Sequence, residues 1–355
     1  MANEMARKIR VVEKKELKPV KIIVTHEKPH FDEILAIFLL KKYGKNFFSG
    51  IEDACVEMWG EGKMLKEYVG KTAEYLLVEK KMLCVGIGGG EFDEHGNGEL
   101  TCAHLVAKYI RVDENKELQK ILQFCKRVDH DGKSMPFDLH SSLKKIYDFL
   151  DAVNEDTQTA FDWTMLAIES EVYAQKRFHA CVKEFEKSGR IVNINPIRIA
   201  QVESDNTMMC KWIRSAYNRP EVIVKRGLKG NIIILTSLLN IDMRDMIRSI
   251  RMQEMQKRNL DVPKWQALEA EGTIPECPWW HFNANNRQIF NGAISAPDVE
   301  PSILTLGEVT RAIIAGCKSL VNPCKEKKCV RTCTKFKLGL VACRKKRFNE
   351  MKEKI

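Results

Sequence analysis

Lys21-Ile22-Ile23-Val24 runs straight into Thr25-His26-Glu27-Lys28-Pro29-His30-Phe31-Asp32-Glu33, and the pattern turns helical from Glu33 to Tyr43. A short β-rich run, a charged loop and a helix predict an α/β fold built on a parallel sheet. In open sheets of this kind, active sites gather where such loops leave the strand ends. This loop carries two histidines and a carboxylate: His26, His30 and Asp32. Imidazole nitrogen with carboxylate oxygen suits Mn²⁺, Fe²⁺ or Zn²⁺, and a loop lets residues four and two apart converge on one point. The plainer alternative is a solvated polar loop in which Asp32 caps the helix.

Two more segments share this texture. Met82–Ile87 (MLCVGI) reads as a second buried strand, running into Gly88–Gly90 and then Glu91-Phe92-Asp93-Glu94-His95-Gly96. Asp93 and His95, two apart, share a face. The glycines permit close backbone approach without forming a GxGxxG fingerprint. Glu117–Val128 reads as a helix that ends in Val128-Asp129-His130-Asp131-Gly132. A glycine turn with a polar tip and a polar C-terminal turn are the alternatives for these two segments. Four of the eight histidines fall within the three segments, which together could hold two divalent ions.

Beyond them, Cys102–Ile110 is a helix candidate, and the stretch from Leu143 to Glu186 is helical. Phe161, Met165, Ile168 and Val172 mark one buried face of that stretch. After Gly189, strands are expected at Ile191–Ala200, Glu221–Lys225 and Asn231–Thr236, and helices at Asp242–Arg258 and Leu306–Cys317. The expected layout is an N-terminal parallel-sheet domain at 20–140, a helical connector at 141–189, a smaller α/β domain at 190–316 and a tail at 317–355.

The 355 residues allow two domains. The 44% hydrophobic and 30% charged content is that of an ordinary globular chain. No apolar run approaches the roughly 20 residues that cross a bilayer, and the N-terminus lacks the apolar core of a secretory signal. A soluble, cytoplasmic protein with no membrane partner is expected. Cys55, Cys84, Cys102, Cys125, Cys181, Cys210 and Cys277 then read as reduced core thiols. The net charge of +10 is concentrated in residues 317–355, which hold 13 Lys+Arg against 3 Asp+Glu.

The order THxxxHxDE, a glycine-rich strand end leading to FDEH, and VDHDG resembles the DHH phosphoesterase superfamily. The likeness is greatest to its MYG-type exonuclease branch, with its THxGxFHxDE, DVGG, (Y/F)DHH and later acidic motifs. Trp280-His281-Phe282, Asn291-Gly292 and Ala296-Pro297-Asp298 resemble the terminal substrate-binding part of that branch, so the likeness spans about 20–316. It implies a DHH-type domain holding one or two Mn²⁺ ions on His26, His30, Asp32, Asp93, His95, Asp129 and Asp131. Asp93, His95 and Asp129 would carry catalysis, and His281 and Arg287 would face substrate. The chain departs from the pattern where the DVGG aspartate becomes Gly86 or Ile87 and the central His of DHH becomes Glu94.

The tail spaces Cys324, Cys329, Cys333 and Cys343 as C-x4-C-x3-C-x9-C among lysines and arginines, with Cys317 seven residues upstream. Structural Zn²⁺ on the four thiolates is the expectation, with disulfides, free thiols or an iron–sulfur cluster as alternatives. Lys335 and Arg344 are candidate phosphate contacts. Together these readings predict a metal-dependent phosphodiesterase or nuclease that attacks RNA or single-stranded DNA with metal-activated water. A nucleic-acid-binding protein on a decayed DHH scaffold and a small-molecule phosphoesterase or pyrophosphatase are the alternatives. Oligomeric state stays open, a homo-oligomer included.

Overall fold

The first strand pairing is short: Lys18–Pro19 (β1) lies parallel to Phe48–Ser49 (β3). Between them in sequence, Ile22–His26 (β2) forms the centre of a three-stranded sheet in the order β4-β2-β5, with Cys55–Trp59 (β4) and Met82–Cys84 (β5) both parallel to it. Alternation along β2 sends Ile23 into the larger core and Val24 into a smaller one with Trp59, Leu76, Cys84 and Ile87. The central strand β2 of this parallel sheet is thereby buried on both faces. This is a computed structural model, and it describes residues 17–60, 68, 70–95, 100–194, 197–217, 219–236, 243–292 and 296–317.

Helix Phe31–Tyr43 follows β2 and is buried all round from Phe31 to Leu40, which marks it as the central helix of its core. Its N-cap is His30, so Asp32 falls in the first helical turn and is not the cap. Helices Cys102–Tyr109, Gln119–Cys125 and Leu139–Val153 pack into the same core, together with Phe161, Ile168 and Val172 from helix Gln158–Ser188. A π-helical turn, Lys126–His130, closes Gln119–Cys125. The chain divides into two compact units at Lys176/Arg177, inside helix Gln158–Ser188.

The second unit is built on a seven-stranded mixed sheet. Arg190–Ile194 (β6), Ile197–Glu203 (β7), Val222–Arg226 (β8), Ile232–Thr236 (β9), Gly272–Ile274 (β10), Cys277–Asn283 (β11) and Gln288–Asn291 (β12) stand in the order β10-β11-β12-β9-β8-β7-β6. Within it, β7 and β8 run parallel and the other described pairs antiparallel. Ile199, Val224, Ile234, Trp280 and Ile289 pack with residues of helices Arg244–Lys257 and Leu306–Gly316. Ala200, Val202 and Ile223 belong to a separate cluster with Phe185 and helix Met209–Ala216.

The protein is thus a mixed α/β chain with a parallel sheet in one unit and a larger mixed sheet in the other. Among the expected core thiols, Cys84, Cys102, Cys125, Cys181 and Cys277 are buried and Cys210 is half-buried, whereas Cys55 on β4 is exposed. Cys317 is buried in the core of the second unit. Cys324, Cys329, Cys333, Cys343, Lys335 and Arg344 lie outside the described residues. Among the described residues no helix is long and apolar enough to cross a membrane.

Candidate metal centre

The C-terminal ends of β2 and β5 and the N-terminus of helix Phe31–Tyr43 meet at one place. His26 is the last residue of β2, and its Nε2 lies 2.9 Å from the Gly86 carbonyl in the loop after β5. A carbonyl only accepts, so Nε2 is the donor in that contact and Nδ1 is the nitrogen turned away from it. A ligating histidine is commonly fixed this way, by a carbonyl that accepts from its other nitrogen. The His26 and His95 rings stand edge to face with centroids 6.3 Å apart. The first two sequence segments therefore converge.

The loop Val85–His95 is shaped by its glycines and by Asp93. Asp93 accepts from the Gly89 N–H at 2.7 Å and from the His95 N–H at 3.0 Å, and meets His95 Nδ1 at 2.7 Å. Burial works to raise the Asp93 pKa, but these hydrogen bonds win and hold it below the usual carboxylate value. The same bond from Asp93 raises the pKa of the His95 imidazole. With Nδ1 turned to a carboxylate, His95 offers Nε2 outward, the geometry of a carboxylate-oriented metal ligand.

Beneath this rim lie carboxylates that water does not reach. Asp32 is 1% exposed, and its Oδ2 has no hydrogen-bond partner. Glu94 Oε2 is likewise buried without a partner. Burial pushes the Asp32 carboxyl up to about 7, with the charges of Asp129 and Glu94 adding to it. Burial and the neighbouring Asp32 push Glu33 up to about 9. Glu94 is also raised, again chiefly by burial. Burial lowers His30 against the opposing pull of Asp129, and lowers His140, with Lys144 adding. Both imidazoles are thus biased towards the neutral form that binds metals.

Among the described residues, the atoms that could bind an ion fall into two groups, His30–Asp32–Glu33 and Asp93–Glu94–His95, each within 4.8 Å. A divalent cation would supply the counter-charge that such a set lacks. Buried anions without a counter-charge cost on the order of several kcal/mol each, and a bound ion inverts that balance. Nitrogen and oxygen donors without thiolate suit Mn²⁺, Fe²⁺ or Zn²⁺ alike.

Not every expected residue joins the cluster. Asp129 acts electrostatically on His30, Asp32, Glu94 and His140. Asp131 instead pairs with His130 Nδ1 at 3.0 Å and with Lys133 at 3.9 Å. His281 and Arg287 belong to the second unit, on the β11–β12 hairpin. His281 stacks on Phe290 with centroids 4.7 Å apart, and Arg287 takes φ 52 in the turn. Glu33 joins the cluster from outside the set expected from sequence, His140 couples electrostatically to His30 and Asp129, and Glu94 stands in the cluster where the DHH pattern has a histidine. Phe137 carries no signal in the sequence. It is 89% exposed, takes φ 65, and has Lys145 Nζ 5.1 Å from its ring centroid.

The raised carboxyls make a pH prediction for the metal-free protein. A group whose folded pKa lies above its unfolded value contributes fully below the ordinary carboxylate range, near pH 4. That contribution is lost as pH rises through about 7 for Asp32 and about 9 for Glu33. The slope is about 1.4 kcal/mol per pH unit for each titrating group. Thermal unfolding in chelator should therefore fall steadily from about pH 5 to about pH 9. A flat profile would mean that these carboxyls do not carry the strain assigned to them.

No protein-family description matches the chain, and no curated protein matches it. Four chains of solved structures do match. One is the crystal structure of an uncharacterized protein from Helicobacter pylori G27, 8% identical over 83% of this chain and 98% of that one, with a TM-score of 0.23. At that score the likeness carries no argument about fold or activity.

Proposed function

We propose that the first unit is a metal-dependent phosphoesterase of the DHH type that acts on RNA or single-stranded DNA. The observation that carries this reading is the unpartnered Oδ2 of a 1%-exposed Asp32, grouped with the Glu33 carboxylate and the His30 imidazole. His26, His30, Asp32, Asp93 with His95, and Asp129 would hold Mn²⁺. A bound divalent ion supplies Lewis-acid polarisation of a phosphoryl oxygen and lowers the pKa of water. The chain's own part is to orient His26 and His95 through the Gly86 carbonyl and Asp93, to keep bulk water from the buried Asp32 and Glu33 carboxylates, and to offer His140, whose pKa burial lowers, as a proton acceptor.

The surroundings favour a polyanion with aromatic bases. Lys144 acts electrostatically on His30 and His140, so one lysine flanks the centre, and Lys126 and Lys133 act on Asp131 beyond it. Burial works to raise the Asp138 carboxyl, but hydrogen bonds from the Met135 and Ser141 N–H groups outweigh it and hold the pKa low. Those bonds fix the loop that presents Phe137. A base stacked on such a ring contributes roughly 1–3 kcal/mol.

The test is degradation of end-labelled single-stranded RNA and DNA with Mn²⁺, using Asp93→Asn, Phe137→Ala and a chain ending after Cys317. Wild type is expected to cleave, Asp93→Asn to lose cleavage, and Phe137→Ala to bind roughly 5- to 100-fold more weakly. Binding without cleavage, unchanged by Asp93→Asn and abolished by tail removal, would replace the nuclease with a binding protein on a DHH-type scaffold. Equal hydrolysis of a small phosphoester with and without the tail would favour a small-molecule enzyme.

A further inference from the structure

Gly86 follows β5 with φ +71, and a Cβ built on it would lie 2.3 Å from Glu33 Oε1 and 2.7 Å from Glu33 Cγ. The Glu33 side chain thus fills the space that a side chain at position 86 would need. Glu33 is 2% exposed. Its Oε2 accepts the His30 backbone N–H at 2.6 Å, which completes the helix N-terminus. That bond uses one oxygen. The other, Oε1, is 3.3 Å from His26 Nε2, and the donor atoms of His30, Asp32 and Glu33 lie within 4.8 Å of one another. The neighbouring Asp32 Oδ2 is buried without a partner.

A glutamate that only caps a helix does not need its second oxygen buried beside the His26 Nε2–H and a second carboxylate. Solvating that oxygen at the surface would cost less. We propose that Glu33 is itself a ligand of the metal centre, and that position 86 lacks a side chain so that this carboxylate can enter from the helix. The carboxylate is thereby supplied by the helix N-terminus and not by the strand end. The proposal rests on the metal-centre reading above.

The experiment titrates Mn²⁺ into the full chain by electron paramagnetic resonance, with thermal shift as a second readout. Wild type, Glu33→Gln, Glu33→Ala, Gly86→Asp and the double variant Glu33→Ala/Gly86→Asp are compared. Wild type must bind Mn²⁺, or the metal-centre reading itself fails. Given that, Glu33→Gln keeps a capping oxygen and is expected to lose more than the roughly 10- to 100-fold typical of residues that only orient a ligand. Gly86→Asp alone should lose both stability and metal, because the two side chains collide. In the Glu33→Ala background, Asp at 86 finds the space empty and is a side chain that tolerates positive φ, so affinity should recover at least tenfold over Glu33→Ala. The double variant also decides the matter if Glu33→Gln fails to fold. Glu33→Gln binding as wild type does, or a double variant no better than Glu33→Ala, would overturn the proposal.

Discussion

Asp32→Asn is expected to make the metal-free protein more stable while it removes the stabilisation that Mn²⁺ gives. A carboxyl moved from 3.8 to about 7 by burial costs the folded state on the order of 4 kcal/mol at about pH 8. Asparagine removes that cost but leaves its own amide partly unsatisfied, worth roughly 1–3 kcal/mol in the opposite direction. The net gain should be about 2 kcal/mol, and about 4–8 °C in melting temperature for a unit of this size. With Mn²⁺ present the order reverses, because wild type gains binding energy that the variant cannot. Hydrolysis should fall at least about 10²- to 10³-fold, the range for losing one charge-stabilising group. Differential scanning fluorimetry at the same pH, with chelator and then with Mn²⁺, reads both signs. A lower melting temperature for Asp32→Asn in chelator would make Asp32 a structural acceptor and remove the main support for a metal site.

That trade of stability against binding explains which parts of the centre are legible in the sequence. β2, β5, β8 and β9 announce themselves as β-branched or apolar runs, and the helix after His30 follows from its continuous apolar face. β4 does not, because Glu57 interrupts Cys55–Trp59 and the strand is only partly buried. The β11–β12 hairpin is hidden by Pro278, which demotes a strand assignment. Asp129 and Asp131 look equivalent in sequence, but the π-helical turn at Lys126–His130 adds a residue to the helical period. Asp131 is then left to His130 and Lys133. His140 sits in helix Leu139–Val153, where a lone histidine carries no distinguishing pattern. Glu33 reads only as the start of a helix. The signal that would place it in the centre is Gly86, whose need for space appears only when strand end and helix are brought together.

Arg251→Met is expected to cost the second unit about 3–5 kcal/mol, because it strands several buried carbonyls at roughly 1–3 kcal/mol each. Arg251 is fully buried on helix Arg244–Lys257. Its guanidinium donates to the carbonyls of Leu268 at 3.0 Å, Ala270 at 2.9 Å, Gly272 at 2.5 Å and Trp280 at 3.0 Å. One side chain therefore ties the end of the short helix Trp265–Leu268, β10 and β11 to the helix that covers the sheet. Burial lowers its pKa to about 10, still high enough to keep it charged at neutral pH. Methionine matches the stem but leaves four carbonyls without their donor. Lysine keeps the charge but gathers its donors on one atom, so it cannot span carbonyls that a planar fork reaches. Arg251→Lys should thus lose nearly as much as Arg251→Met. One turn further on, Glu254 accepts from Arg258 Nε at 2.9 Å, Trp280 Nε1 at 3.1 Å and the Ile303 N–H at 3.1 Å, and from the Ser302 hydroxyl. It anchors the segment before helix Leu306–Gly316 in the same way. Guanidinium denaturation followed by tryptophan fluorescence measures the loss, since Trp280 lies in the affected core. Full stability in Arg251→Lys would mean that charge alone does the work. A loss under about 1 kcal/mol in Arg251→Met would mean that water reaches the carbonyls and satisfies them.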